Sequence, residues 1–125
     1  MGKATKSFPP QVLAAFVATK YLYIRAGDHR FIRIWVVVVA GRVMVRSWND
    51  KPGGWYRALL SAPRGHVQID DNEVAIRAIR VRSKRLIDDA TVAYGEKYTS
   101  KASAVFVKGF ATARRKATTL ELVPG

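Results

Sequence analysis

Apolar and polar residues change their spacing several times along the chain, and each change predicts an element. Gln11 to Val17 follows Pro9-Pro10, which places proline in the first turn of a short helix. Tyr21-Leu22-Tyr23-Ile24-Arg25 alternates as a strand does, and Gly27-Asp28-His29-Arg30 supplies the turn after it. Ile32 to Val39 is β-branched and apolar at nearly every position, the pattern of one strand buried on both faces. Ala40-Gly41-Arg42 is a tight turn. In the next strand, Val43 to Trp48, alternation sets Val43, Val45 and Ser47 on one face and Met44, Arg46 and Trp48 on the other.

A Gly/Pro loop, Asn49 to Gly54, precedes a helix in which Trp55 pairs with Leu59 and Tyr56 with Leu60. Pro63 and Gly65 are expected to end it. His66 to Asp70 alternates as a strand and turns at Asp71-Asn72. From Glu73 to Arg82 the apolar positions change parity, which predicts a bulge near Arg77-Ala78. Ser83 then caps a helix carrying the stripe Leu86, Ile87, Ala90, Tyr94 and Tyr98. Residues 103–110 form a further helical turn, and 117–123 close the chain as a strand. About six strands without regular strand–helix alternation predict a small α+β domain of β-barrel type over residues 9–125, preceded by a flexible arm at 1–8.

Composition narrows the function. At 49% hydrophobic and 25% charged residues the chain is globular. Without cysteine it has no disulfide and no thiolate metal site, which suits a reducing cytoplasm. The apolar run Ile34 to Ala40 is far shorter than the ~20 residues of a membrane-spanning helix, so no membrane partner is expected. His29 and His66 stand alone at no metal or catalytic spacing, and no metal is expected. A net charge of +13 attracts anions, whether nucleic acid, lipid or a phosphorylated small molecule.

Candidate chemistry gathers at one corner. The strand ends in Arg46-Ser47-Trp48, the loop carries Lys51, and the helix opens on Trp55-Tyr56-Arg57. Aromatic faces, a hydroxyl and cations together suit a flat phosphorylated ligand. Arg57 in a first helical turn opposes the dipole unless an anion binds there. Arg33 inside an apolar strand needs a carboxylate or an anion. Arg77, Arg80 and Arg82 read as a solvated basic edge.

The segments Trp35-Val36-Val37-Val38, Val45-Arg46-Ser47-Trp48, Trp55-Tyr56-Arg57, Tyr94 to Tyr98 and Ala117 to Pro124 resemble domain-of-unknown-function family 2255, within the split-barrel flavin-binding superfamily. That superfamily takes in pyridoxamine-phosphate oxidases, FMN-binding reductases and deazaflavin-dependent nitroreductases. The resemblance implies a six-stranded antiparallel split β-barrel with flanking helices, and a homodimer holding FMN or a deazaflavin at its interface. It also implies that Arg46, Ser47, Lys51 and Arg57 anchor phosphate, with Trp48 or Trp55 near the ring; Arg33 joins the expected cofactor-binding residues if the anion it needs is that phosphate. The function expected is an oxidoreductase passing hydride to a quinone or nitro compound. The alternative is a cofactor-free module for an anionic ligand or nucleic acid, with basic residues interleaved with Trp and Tyr.

Overall fold

In the computed structural model, which describes residues 7–125, the helices are α1 (Pro10–Ala18), α2 (Trp55–Ser61), α3 (Lys84–Lys97), α4 (Ala104–Phe110) and α5 (Ala113–Lys116). The strands are β1 (Leu22–Ala26), β2 (Ile32–Ile34), β3 (Val37–Val39), β4 (Arg42–Val45), β5 (Arg64–Ile69), β6 (Asn72–Arg80) and β7 (Leu120–Pro124). They form one antiparallel sheet in the order β2-β1-β5-β6-β7-β4-β3. Of the arm expected at 1–8, residues 1–6 lie outside the described residues, and Phe8 is buried against Phe16 with ring centroids 5.0 Å apart.

The sheet has seven strands where six were expected, because the run Ile32–Val39 is two strands. Trp35-Val36 separates β2 from β3, and the two halves pair at opposite edges of the sheet. Ile34 and Val37 are three Cα steps apart, so at most about 11 Å separates them. A flat sheet of this order would set its edge strands about 29 Å apart. The sheet is therefore curled into a half-barrel whose edges meet at Trp35-Val36.

Each sheet face carries a core. The inner face buries Leu22, Ile24, Val43, Val45, Leu120 and Leu122 beneath Phe16 of α1 and Tyr56 and Leu59 of α2. Leu60, expected to pair with Tyr56, is 45% exposed. The outer face buries Val37 and Met44 beneath Ala90, Tyr94 and Tyr98 of α3 and Phe110 of α4. The alternation along β4 is thus as expected, with apolar cover on both sides.

The bulge expected near Arg77-Ala78 is absent. β6 keeps one register with β5 from Arg64↔Arg77 to Ile69↔Asn72 and one with β7 from Ile76↔Pro124 to Arg80↔Leu120. Ile76 and Ala78 stay on the inner face, while Val81 joins the core under α3; a second covered face, not a bulge, produces the change of parity. Gly65, expected to end α2, lies inside β5. The β3–β4 hairpin turns through Ala40 and Gly41 at φ 50° and 76°, the handedness that matches strand twist. Ser83 caps α3 as expected, its Oγ accepting from the Leu86 N–H at 3.3 Å. Among the described residues no helix is long and apolar enough to cross a membrane.

Candidate functional site

β4 ends under α3, and the chain must leave the sheet there, crossing the open side of the half-barrel before α2 begins. That exit creates a cleft of about 730 Å³ between the 49–54 loop, β2 and the start of α4. Its floor is aromatic. Trp35 lies flat on Tyr98, centroids 3.8 Å apart and planes 2° from parallel, and Trp48 meets Phe106 and Phe110 edge-on at 5.1 and 5.2 Å. Trp55 and Tyr56 stand on the facing wall, Tyr21 and Phe106 at the mouth. Burial pushes the Tyr56 hydroxyl above its ordinary pKa, so it stays a neutral hydrogen-bonding group.

Six of the seven residues expected from sequence line this cleft: Arg33, Arg46, Ser47, Trp48, Lys51 and Trp55. They do not play equal parts. Lys51 and Arg33 are exposed cations at the rim, with Arg33 stacked on Tyr21 at 4.6 Å. Arg46 is 2% exposed and four of its five N–H donors are spent inside the chain. Its Nε donates to Thr119 Oγ1 at 2.8 Å, Nη1 to Thr91 Oγ1 and the Phe110 carbonyl at 2.9 and 2.8 Å, and Nη2 to the Ile87 carbonyl at 2.7 Å. Desolvation lowers its pKa, and no carboxylate pairs with it among the described residues. This guanidinium fastens α3 and α4 to Thr119, just before β7, and is not a free phosphate anchor.

Ser47 is likewise committed. Its N–H donates to Thr118 Oγ1 at 2.9 Å, and its Oγ accepts from the Asp50 N–H at 3.0 Å. Arg57 is the seventh residue and lies outside the cleft. The anion its place at a helix start calls for is the chain's own Asp50, which accepts from Arg57 Nε at 3.0 Å. Trp48 is held from behind, the Arg115 guanidinium 3.6 Å over its ring and donating to its carbonyl at 2.9 Å.

Trp35, Phe106, His29 and Arg30 also line the cleft and were not singled out from sequence. They come from three separate segments, and the only sequence signal for Arg30 was its place in a turn beside His29. Among the described residues no group of three His, Asp or Glu side chains is gathered to hold a metal ion.

The end of α3 pins the closure of the half-barrel. Lys97 Nζ donates to the carbonyls of Val36 and Phe16 at 2.8 and 3.1 Å; Tyr98 Oη donates to the Lys20 carbonyl at 2.6 Å and accepts from the Val36 N–H at 3.1 Å. Burial depresses the Lys97 pKa from 10.5 to about 8 and pushes the Tyr98 hydroxyl up to about 12 and that of Tyr94 well above the usual range. Below pH 8 the folded chain carries a penalty for a half-buried ammonium. Between about 8 and 10.5 the unfolded chain binds more protons at Lys97, so stability rises with pH. Above 10 the unfolded chain loses tyrosine protons that the folded chain keeps, so stability falls towards pH 12. The expected melting temperature therefore climbs from pH 7.5 to about 9.5 and drops beyond 10. Lys97→Met should flatten the rise and keep the drop, and a wild-type Tm falling between pH 8 and 9.5 would contradict this account.

A family model described as "Uncharacterized protein conserved in bacteria (DUF2255)" matches residues 13–122. No curated protein matches the chain. A similar solved structure is that of the conserved hypothetical protein Rv2991 from Mycobacterium tuberculosis, with a TM-score of 0.56 and 14% identity over 98% of this chain and 82% of that one. At that identity the likeness concerns the fold.

Proposed function

The chain belongs to the DUF2255 family, and from that premise we propose that the cleft binds FMN or a deazaflavin and serves a cytoplasmic oxidoreductase acting on a small quinone or nitro compound. One observation carries the reading. The cleft joins an aromatic floor to three rim cations, Arg30, Arg33 and Lys51, none of them ion-paired among the described residues. Among the described residues the one carboxylate lining it, Asp50, is already engaged by Arg57. Such a cavity favours a flat ring with an anionic tail, and about 730 Å³ lies within the usual 300–1,000 Å³ of ligand sites.

The residues present fit the group. Lys51 and Arg33 would take the phosphate, and Trp35 and Trp48 would face the ring. A bound flavin or deazaflavin accepts and donates a hydride, and that chemistry belongs to the cofactor. The protein's part is to orient the ring and exclude water with the aromatic floor of Trp48, Phe106 and Phe110. The buried charge of Arg46 adds a positive field behind the floor without touching the tail. At the mouth, Tyr21 and Phe106 are 44% and 46% exposed, which favours a homodimer in which the second copy closes the cleft.

The test is a visible spectrum and a fluorescence titration of the purified protein with FMN and with a deazaflavin. Binding should quench the fluorescence of the added ring, and Lys51→Ala or Arg33→Ala should weaken affinity at least tenfold, as loss of a charge-assisted contact does. Arg57→Ala should leave affinity within about twofold, because its partner is Asp50. Unquenched fluorescence with both rings would end this reading in favour of a cofactor-free anion binder.

A further inference from the structure

The β1–β5–β6 half of the outer sheet face is bare. α3 packs on β3, and α2 reaches β1 and β6 from the inner side through Tyr56 and Leu59, so among the described residues no helix lies across it. The register sets its side chains in rows. Arg33 is opposite Tyr23, Tyr23 opposite Gln68, and Gln68 opposite Glu73. Arg25 is opposite His66, and Arg64 is directly opposite Arg77. Like charges facing each other across strands destabilise a sheet. Neither Arg64 nor Arg77 has a carboxylate partner among the described residues, and Arg25 reaches Glu73 only at 3.9 Å.

Aromatic rings are interleaved with these cations. Tyr23 stands in the middle of the face, 43% exposed, with Tyr21 beside it at 44%. The Arg33 guanidinium lies 4.6 Å over Tyr21, and that of Arg25 lies 4.8 Å over Phe31. Stacking restrains both guanidiniums, so less side-chain freedom is lost when they meet an anion. A pleated surface with exposed rings between fixed cations matches single-stranded nucleic acid, whose bases stack while its phosphates meet arginines.

We infer that the bare outer face of β1, β5 and β6 is a docking surface for single-stranded nucleic acid, with Tyr23 as a stacking platform and Arg25, Arg64 and Arg77 on the phosphates. A second copy of the chain is the poorer occupant, since a two-fold contact would set this arginine row against itself. The inference rests on Tyr23, Arg25, Arg64 and Arg77, none of which lines the cleft, and stands or falls separately from cofactor binding.

The experiment is fluorescence anisotropy of a labelled oligothymidylate of about 20 nucleotides over a salt series. Three phosphate contacts give a slope of log K against log salt of about −2, and Arg64→Ala/Arg77→Ala should bring it to about −0.7. Tyr23→Ala should weaken binding roughly tenfold with the slope unchanged. Each variant is first checked for a Tm no lower than that of the wild type and an unaltered cofactor titration, which separates loss of the face from loss of the fold. No binding at 50 mM salt would overturn the inference, as would a wild-type slope in the double variant. So would equal binding of polyglutamate with no dependence on Tyr23, or a dimer in sedimentation that the Arg64/Arg77 variant dissolves.

Discussion

Alanine at Arg46 is expected to lower the unfolding free energy by about 3–5 kcal/mol, a large share of the 5–15 kcal/mol that holds a domain together. The guanidinium is buried and serves four acceptors on three elements: Thr119 before β7, Thr91 and Ile87 on α3, and Phe110 at the end of α4. Truncation leaves a cavity, strips the Phe110 carbonyl of its donor, and frees α4 from the sheet. Two further variants isolate the cause. Arg46→Lys keeps the charge, but an ammonium cannot reach four acceptors set around a planar fork, so it should recover less than half the loss. Arg46→Met fills the volume and removes the cost of a buried charge, so it should recover more, as apolar replacements of buried ions often do. Urea unfolding followed by circular dichroism measures all three, and a loss under 1 kcal/mol for Arg46→Ala would show that packing alone holds α4 in place.

Arg46 also marks where the sequence stopped being informative. Alternation placed it on the face shared with Met44 and Trp48, and that face is correct. Whether the face was wet or covered depended on Thr91, Phe110 and Thr119, between 45 and 73 residues away, and no local pattern reports that. The same limit explains the missed strand break. A β-branched run has one local signal whichever edge each half joins, and no glycine or proline marks Trp35-Val36. The bridge is set by Tyr98, 62 residues on from Val36. By contrast α3 is legible because its cap and its apolar stripe lie within one segment.

The candidate site divides along the same line. Trp48, Lys51 and Trp55 lie close together in sequence and are legible there. Trp35, Phe106 and Arg30 are brought to them by curling of the sheet and packing of α4, so their part belongs to the tertiary structure alone. Arg57 fell out for a local reason that sequence could have offered, since Asp50 is only seven residues before it and the loop folds back. A cation at a helix start needed an anion, and the nearest one was in the chain.

Alanine at Gly65 is expected to cost about 3 kcal/mol, on the order of 10 °C in melting temperature, and to weaken cofactor binding as well. Gly65 faces Ala26 of β1 and Ile76 of β6 in mid-sheet. A Cβ there would lie 2.2 Å from the Arg25 carbonyl oxygen and 3.2 Å from its carbon, so the obstacle is backbone and cannot rotate aside. β1 and β5 must part at that end, straining the adjoining Gly27 N–H bond to the Arg64 carbonyl at 3.1 Å. The turn that follows carries His29 and Arg30 to the cleft, so a shift of β1 moves one wall of the site. Gly109→Ala is the instructive contrast. Its Cβ would meet the Trp48 ring at 2.2 Å, but that obstacle is a side chain with the open cleft on its far side. Swinging Trp48 inward should spare most of the stability and spoil the floor. Thermal melts paired with cofactor titrations should therefore show Gly65→Ala losing both Tm and affinity, and Gly109→Ala losing affinity with a much smaller fall in Tm. Equal falls in Tm would mean that Trp48 is as immobile as the backbone, with Arg115 clamping it so firmly that the cleft floor cannot yield.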